Sequence, residues 1–226
     1  INLLQQQCHL NPQSVIADLG SGTGIFTRLL LNAGYTVYAV EPNDAMRNAS
    51  VIDLGRSPKF HPVNGRAKAT GLPAKTADLV VCAQAFHWFD AEKAKVEFKR
   101  ILKPGGMVAL IWNNRDIEAD AFSIAYELLL QQEGTDYKKV NHQNLTEADF
   151  ASFFKNGQYQ LTKFANVQVF DEAGLIGRAL SSSYVPTEDT TEGRHFVAQL
   201  KGLFNQHQTN GKVNIYYQTE VYIGQV

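Results

Sequence analysis

The stretch VIADLGSGTG, residues 15–24, constrains this chain more than any other. A short apolar strand closes on Asp18, glycines follow at positions 20, 22 and 24, and an apolar helical run begins at Ile25. Glycines at this spacing let the backbone turn tightly and approach a ligand with no Cβ in the way. The helix that follows turns its free N–H groups and positive dipole end toward the same place. The loop is built for a nucleotide-like ligand.

Around it the pattern alternates. Residues 1–9 read as the end of an amphipathic helix, stopped by Asn11-Pro12 before the first strand. Ile25 to Asn32 reads as a helix ended by Ala33-Gly34, Tyr35 to Val40 as a second strand, and Met46 to Leu54 as a helix. KFHPVNGRA reads as a weak strand whose proline suits a sheet edge. ADLVVCAQ is a continuous apolar run, the pattern of a central strand buried on both faces. Ala91 to Leu102 has helical period, KPGG marks a break, and Met107 to Trp112 is a fifth strand. Short connections between alternating strands and helices imply a parallel sheet with helices on both faces, a doubly wound α/β fold. From Asp116 the rhythm changes to two helices, Ile117 to Gln132 and Glu147 to Phe154, expected to form a helical cap insertion over about 114–160 within a single domain spanning 1–226. QLTKFANVQVF, helices at Gly174 to Leu180 and Thr191 to His207, and a last strand in KVNIYYQTEVYIGQV complete the chain.

Composition narrows the partners. The 226 residues carry a net charge of −1, and the basic residues form no run, which argues against nucleic acid and anionic membrane and for a small, nearly neutral or carboxylate substrate. Cys8 and Cys82 are far apart and lack metal-ligand spacing, so neither a disulfide framework nor a zinc site is expected, and the compartment is expected to be reducing and cytoplasmic. His9, His61, His142, His195 and His207 are scattered singly, and no metal is expected. No apolar segment approaches the ~18 residues of a membrane span.

The loop's ligand follows from its spacing. A dinucleotide fingerprint needs Gly-x-Gly-x-x-Gly, but the sixth position is Ile25 counted from Gly20 and Thr27 counted from Gly22. What stands here is an acid two residues before Gly-x-Gly-x-Gly. Asp18 would repel a pyrophosphate, whereas it can accept hydrogen bonds from a cationic amino-acid moiety. That favours S-adenosylmethionine over a nicotinamide dinucleotide. Glu41, closing the second strand, suits a bidentate contact to ribose hydroxyls, which either ligand offers.

Five blocks, VIADLGSGTG, VYAVEPNDAM, GRAKATGLP, ADLVVCAQAFHWFD and ILKPGGMVALIW, stand in that order. In them the chain strongly resembles the class I S-adenosylmethionine-dependent methyltransferases, in particular the small-molecule branch that includes the ubiquinone-biosynthesis and trans-aconitate methyltransferases. The resemblance implies a Rossmann-like, mostly parallel seven-stranded sheet with an antiparallel C-terminal strand. It implies that Asp18, Gly20 and Gly22, in the loop shared with Ser21 and Gly24, hold the methionine end and ribose. It assigns Glu41 to the ribose hydroxyls, Met46 to the adenine face, Ala67 to the adenine amino group, and Gln84 to the pocket wall. Arg66 and Lys68 stand where many relatives carry an acid, so a backbone contact from Ala67 replaces a carboxylate contact. Relatives also carry a further N-terminal helix that closes over the cofactor, an element a chain starting at Ile1 would lack.

The acceptor side is less legible. AQAFHWFD places His87 and Trp88 after the central strand, where open α/β sheets bind ligands. His87 reads either as a general base or anchor, or as a packing residue of the cap. Arg115 and Arg178 read either as carboxylate clamps or as ordinary salt-bridge partners. Ser181, Ser182, Ser183, Tyr184 and Tyr126 read either as an acceptor pocket or as a helix stop and its surroundings. Methyl transfer to an unidentified small-molecule acceptor is the expected activity, with a non-catalytic S-adenosylmethionine binder and a nicotinamide oxidoreductase as the competing readings.

Overall fold

The computed structural model describes residues 1–135, 137, 146–182 and 184–226. Helices are α1 (Asn2–Gln7), α2 (Ile25–Asn32), α3 (Asp44–Leu54), α4 (Ala91–Ile101), α5 (Ala121–Glu133), α6 (Glu147–Phe153), α7 (Glu172–Leu180) and α8 (Thr191–His207). Strands are β1 (Val15–Leu19), β2 (Thr36–Val40), β3 (Phe60–Val63), β4 (Ala77–Ala83), β5 (Leu102–Arg115), β6 (Gln160–Phe170) and β7 (Val213–Gly224). Among the described residues they form a seven-stranded sheet in the order β3-β2-β1-β4-β5-β7-β6. β1 pairs in parallel with β2 and β4, β2 with β3, and β4 with β5. The C-terminal strands are antiparallel. The Asp116 N–H donates to the Tyr216 carbonyl and the Thr219 hydroxyl to Asn113, so the β7 number falls as the β5 number rises.

Alternation along the strands explains why both faces are covered. Ala17, Leu19, Val80, Cys82, Val108, Leu110 and Trp112 face one core together with Phe98 of α4 and Phe150 and Phe153 of α6. Their sequence neighbours Ile16, Leu79, Val81, Ala109 and Ile111 face another with Leu4 of α1 and Leu30 of α2. A strand with a period of two and apolar residues at every position must be buried on both sides. β4, the most continuously apolar, takes the middle of the sheet, and Pro62 lies on the edge strand β3.

The expected break at KPGG is not a break. Ala77 faces Leu102 and Leu79 faces Met107, so the residues between Leu102 and Met107 are accommodated as an irregularity inside one long strand, with Gly105 at φ +80°. α5 starts four residues later than its apolar period suggests, because Asp116 is still paired to β7 and Asp120 supplies the N-cap, accepting from the Ser123 N–H at 2.7 Å.

Two compact units emerge. One comprises Ile1–Trp112, Leu145–Thr162 and Glu220–Val226; the other comprises Asn113–Asn144 and Lys163–Thr219. Neither coincides with the insertion expected at 114–160. Phe150 and Phe153 of α6 belong to the first unit's core, whereas α5 shares its core, through Tyr126 and Leu130, with Leu175 of α7 and Phe196 and Leu200 of α8.

A charged network holds the loop between β3 and β4. Glu97 of α4 accepts from the Thr70 N–H at 2.8 Å and the Thr70 hydroxyl at 2.6 Å, while Arg100 donates to Glu97 and to the Leu72 carbonyl at 2.7 Å. Hydrogen bonding from Arg100 foremost, helped by Thr70 against the cost of burial, holds the Glu97 carboxyl down to about 2. This folded value lies below the ordinary 4.5, so the stabilisation is fully present above that value and is lost as pH falls through about 2. Glu97→Gln is expected to lower the urea unfolding free energy by about 2 kcal/mol at pH 7, the scale of hydrogen bonds to a charged group, with the deficit shrinking in acid.

Candidate functional site

The glycine loop lies at the carboxyl end of β1, within the first unit. Gly20, Gly22 and Gly24 all take left-handed backbone, at φ +71°, +56° and +86°. A Cβ on Gly20 would come within 2.6 Å of the Ala85 Cβ, and one on Gly24 within 2.6 Å of Leu54 Cδ1. Those two glycines are required by the protein's own packing. A Cβ on Gly22 would meet nothing within 4 Å, so the loop leaves Gly22 bordering open space. Beside it, the buried Ser21 Oγ has no hydrogen-bond partner among the described residues.

Glu41, just past the end of β2, is buried, and its carboxylate spans two loops. Oε2 accepts from the Gly22 N–H at 3.0 Å and Oε1 from the Asn43 N–H at 2.8 Å. Its own N–H donates to the Val63 carbonyl, and its carbonyl accepts from Arg47 Nη1 at 2.8 Å. Each carboxylate oxygen has two acceptor directions, so both retain capacity for a pair of hydroxyls. Asn43 then caps α3, accepting from the Met46 N–H at 3.1 Å, which sets the half-exposed Met46 on the first turn.

Asp18 is 1% exposed, and its Oδ2 accepts from the Thr27 hydroxyl at 2.6 Å. Burial pushes its carboxyl up to about 6; the Thr27 hydrogen bond pulls the other way, and the charge of Glu41 adds to the rise. Ala67 lies buried within a tight turn in which Arg66 and Ala69 exchange backbone hydrogen bonds at 3.1 and 2.9 Å. Gln84, past the end of β4, holds φ +57°, strained for a residue with a Cβ, while its N–H donates to the Ile111 carbonyl at 2.9 Å. Ala85 begins a single 3₁₀ turn, Phe86–Trp88. Phe86 packs on Phe153 with ring centroids 4.6 Å apart, His87 is half-buried with its ring 5.0 Å from that of Trp88, and Trp88 is 62% exposed. Thus Asp18, Gly20, Ser21, Gly22, Gly24, Glu41, Met46, Ala67, Gln84, His87 and Trp88 all fall in the first unit, Asp18 near the end of β1, Met46 in α3 and the others on the turns that follow β1, β2, β3 and β4.

Arg115, Tyr126, Arg178 and Tyr184 fall in the second unit. Arg115 Nη2 donates to Glu127 Oε2 at 2.8 Å and to the Tyr137 hydroxyl at 2.6 Å, and its guanidinium lies 5.2 Å from the Tyr126 ring centre. Burial works against that charge, but the surrounding Tyr137, Tyr184, Tyr126 and Glu127 hold the Arg115 pKa above its ordinary value. Burial pushes the hydroxyls of Tyr126 and Tyr137 up as well. Of its two readings, Arg115 here takes the ion pair. Arg178 donates to the Ser181 and Ser182 hydroxyls at 3.3 and 3.1 Å, and Tyr184 packs edge-on against Tyr137. Ser183 and His142 lie outside the described residues. Among the described residues no group of three or more His, Cys, Asp or Glu side chains is placed to hold a metal ion, and no helix is long and apolar enough to cross a membrane.

Thr27, Asn43, Glu127 and Tyr137 are the partners that sequence reading overlooked. Asn43 carried a signal, an Asn directly before a helical Asp-Ala-Met run. The other three are joined to their partners through the fold.

Similarity to known proteins covers the stretch that carries the residues of the first unit's site. Residues 17–110 match the family described as a methyltransferase domain. An uncharacterised methyltransferase-like protein of Schizosaccharomyces pombe is 40% identical over 111 residues, 47% of this chain and 41% of that protein. An uncharacterised methyltransferase of Mycobacterium bovis is 39% identical over 103 residues, 45% of this chain and 40% of its own. The chain thus spans about two fifths of the length of these curated relatives. A solved structure assigned provisionally to the type II methyltransferases, from Anaeromyxobacter dehalogenans, superposes with a TM-score of 0.69 at 20% identity, covering 99% of this chain and 95% of that one. Residues 17–110 thus match a methyltransferase domain, and the cofactor that this similarity supports is S-adenosylmethionine. The open space at Gly22, the unpartnered Ser21 hydroxyl and the spare acceptor capacity of Glu41 fit that group.

Two outcomes are expected. Asp18 is harder to ionise folded than in the ordinary state at 3.8, so the folded protein holds an extra proton and loses stability as pH rises from about 4 to about 6. Asp18→Asn, which keeps an acceptor for Thr27, is expected to stabilise the ligand-free protein by about 1–3 kcal/mol at pH 7.5 and by little near pH 4, read by denaturant unfolding. Glu127→Gln leaves Arg115 buried without its counter-charge and is expected to destabilise by about 3 kcal/mol in the same assay.

Proposed function

We propose that this chain transfers the methyl group of S-adenosylmethionine to a small-molecule acceptor, acting as a single methyltransferase domain over residues 1–226. The observation that carries the reading is the pairing of Gly22, left-handed and facing open space, with a Glu41 carboxylate already aimed at its N–H. When bound, the cofactor supplies an electrophilic methyl on a sulfonium, open to in-line attack by an acceptor nucleophile, with S-adenosylhomocysteine as the product.

The residues divide the work. Glu41 orients the ribose through its free lone pairs; Gly20, Ser21 and Gly22 bring backbone close to the ligand, and Gly24 turns the chain into α2. Asp18 balances the cationic amino-acid end. Met46 and the Ala67 turn border the adenine, and Gln84 lines the pocket wall. Trp88, more than half exposed, excludes water and helps align the acceptor. His87 takes a proton only where the acceptor carries one; an anionic nucleophile needs alignment alone. Tyr126, Arg178 and Tyr184 are proposed to recognise the acceptor, without Arg115, which Glu127 already holds. The near-neutral charge of the chain favours a small acceptor over nucleic acid, and free, buried Cys8 and Cys82 suit a reducing, cytoplasmic setting.

Glu41→Ala is expected to weaken S-adenosylmethionine binding by about 1.5–3 kcal/mol, the scale of hydrogen bonds to a charged group, measured by calorimetry. Incubation of the protein with methyl-labelled S-adenosylmethionine and a metabolite extract is expected to move label into a small molecule. Binding without any transfer would instead favour a non-catalytic binder.

A further inference from the structure

We propose that Thr27 is a positioning residue of the cofactor site: its hydroxyl fixes the Asp18 carboxylate at the end of β1 and keeps it ionised for the cationic amino-acid end of S-adenosylmethionine. The inference rests on the cofactor reading above and extends it to a residue that contacts no ligand. Thr27 stands in the first turn of α2 and is fully buried, with its hydroxyl 2.6 Å from Asp18 Oδ2. The N-cap of α2 is Gly24, which offers no side chain, so the Thr27 hydroxyl ties the helix start to the strand end. The groups facing Asp18 otherwise oppose its charge. Glu41, beyond the end of β2, adds a like charge, and Cys82 of β4 is a buried thiol whose own ionisation the Asp18 charge suppresses. Burial is the largest influence favouring the neutral acid, and the hydrogen bond from Thr27 opposes it. Without that hydroxyl, Asp18 holds its proton to higher pH and its carboxylate is free to rotate. A neutral Asp18 offers a cation no Coulombic partner.

The test is calorimetric titration with S-adenosylhomocysteine, which keeps the amino-acid end, from pH 5 to pH 8. Wild type is expected to bind and to lose affinity in acid with a midpoint near 6, where Asp18 protonates. Thr27→Val, close to isosteric, is expected to bind about tenfold more weakly at pH 7, with the midpoint raised by about one pH unit. Thr27→Ser, which restores the donor, is expected to bind within about twofold of wild type with the wild-type midpoint. A Thr27→Val protein that fails to fold is replaced by Thr27→Ala and read the same way. A variant lacking the hydroxyl that retains the wild-type midpoint overturns the role of Thr27 and leaves the cofactor reading standing. A wild-type protein that binds nothing at any pH overturns the cofactor reading, and this inference with it.

Discussion

The Glu41 carboxylate ties the turn after β1 to the turn after β2 by accepting from the Gly22 and Asn43 N–H groups. Both donors belong to irregular backbone with no sheet partner of its own, and leaving either unmet in a buried place would cost about 1–3 kcal/mol. The same carboxylate stands near Asp18, which is buried more deeply and relies on Thr27. Two acids at the ends of adjacent parallel strands repel each other, and one of them resists ionisation. A ligand carrying positive charge relieves both effects, so the strain of the ligand-free site lies along the coordinate that binding a cation would change.

The sheet brings these groups together through one rule. In a parallel sheet every strand delivers its carboxyl end to the same side, and Asp18, Glu41 and Gln84 stand at or just beyond the ends of β1, β2 and β4. Gln84 and the three loop glycines, all with left-handed backbone, lie on that side. From α4, Glu97 holds Thr70, the residue directly after the Arg66–Ala69 turn that contains Ala67.

Much of this was legible in the sequence because it depends on local chemistry. Glycines at 20, 22 and 24 permit the positive φ that the loop takes, and Ile25–Asn32 and Thr191–His207 are helices with the bounds their apolar period gives. The apolar run from Ala77 was enough to put β4 at the sheet centre. Long-range pairing was not legible. KPGG carries the composition of a turn, but β4 holds both sides of it in one strand. The helical period of α5 runs back to Ile117, yet pairing of Asp116 with β7 keeps that end extended. Arg115 suited a carboxylate ligand as well as a salt bridge until Glu127 and Tyr137, 12 and 22 residues away, were found against it. α6 sits with the first unit for the same reason: Phe150 and Phe153 find their partners among strand residues far away in sequence.

The most direct test of the central claim is a ¹⁵N–¹H titration of the labelled protein with S-adenosylhomocysteine. If the loop and Glu41 form the cofactor cradle, the amide signals of Gly20, Gly22 and Asn43 shift and saturate together. Saturating ligand that leaves the Gly22 and Asn43 amides unmoved would contradict the account.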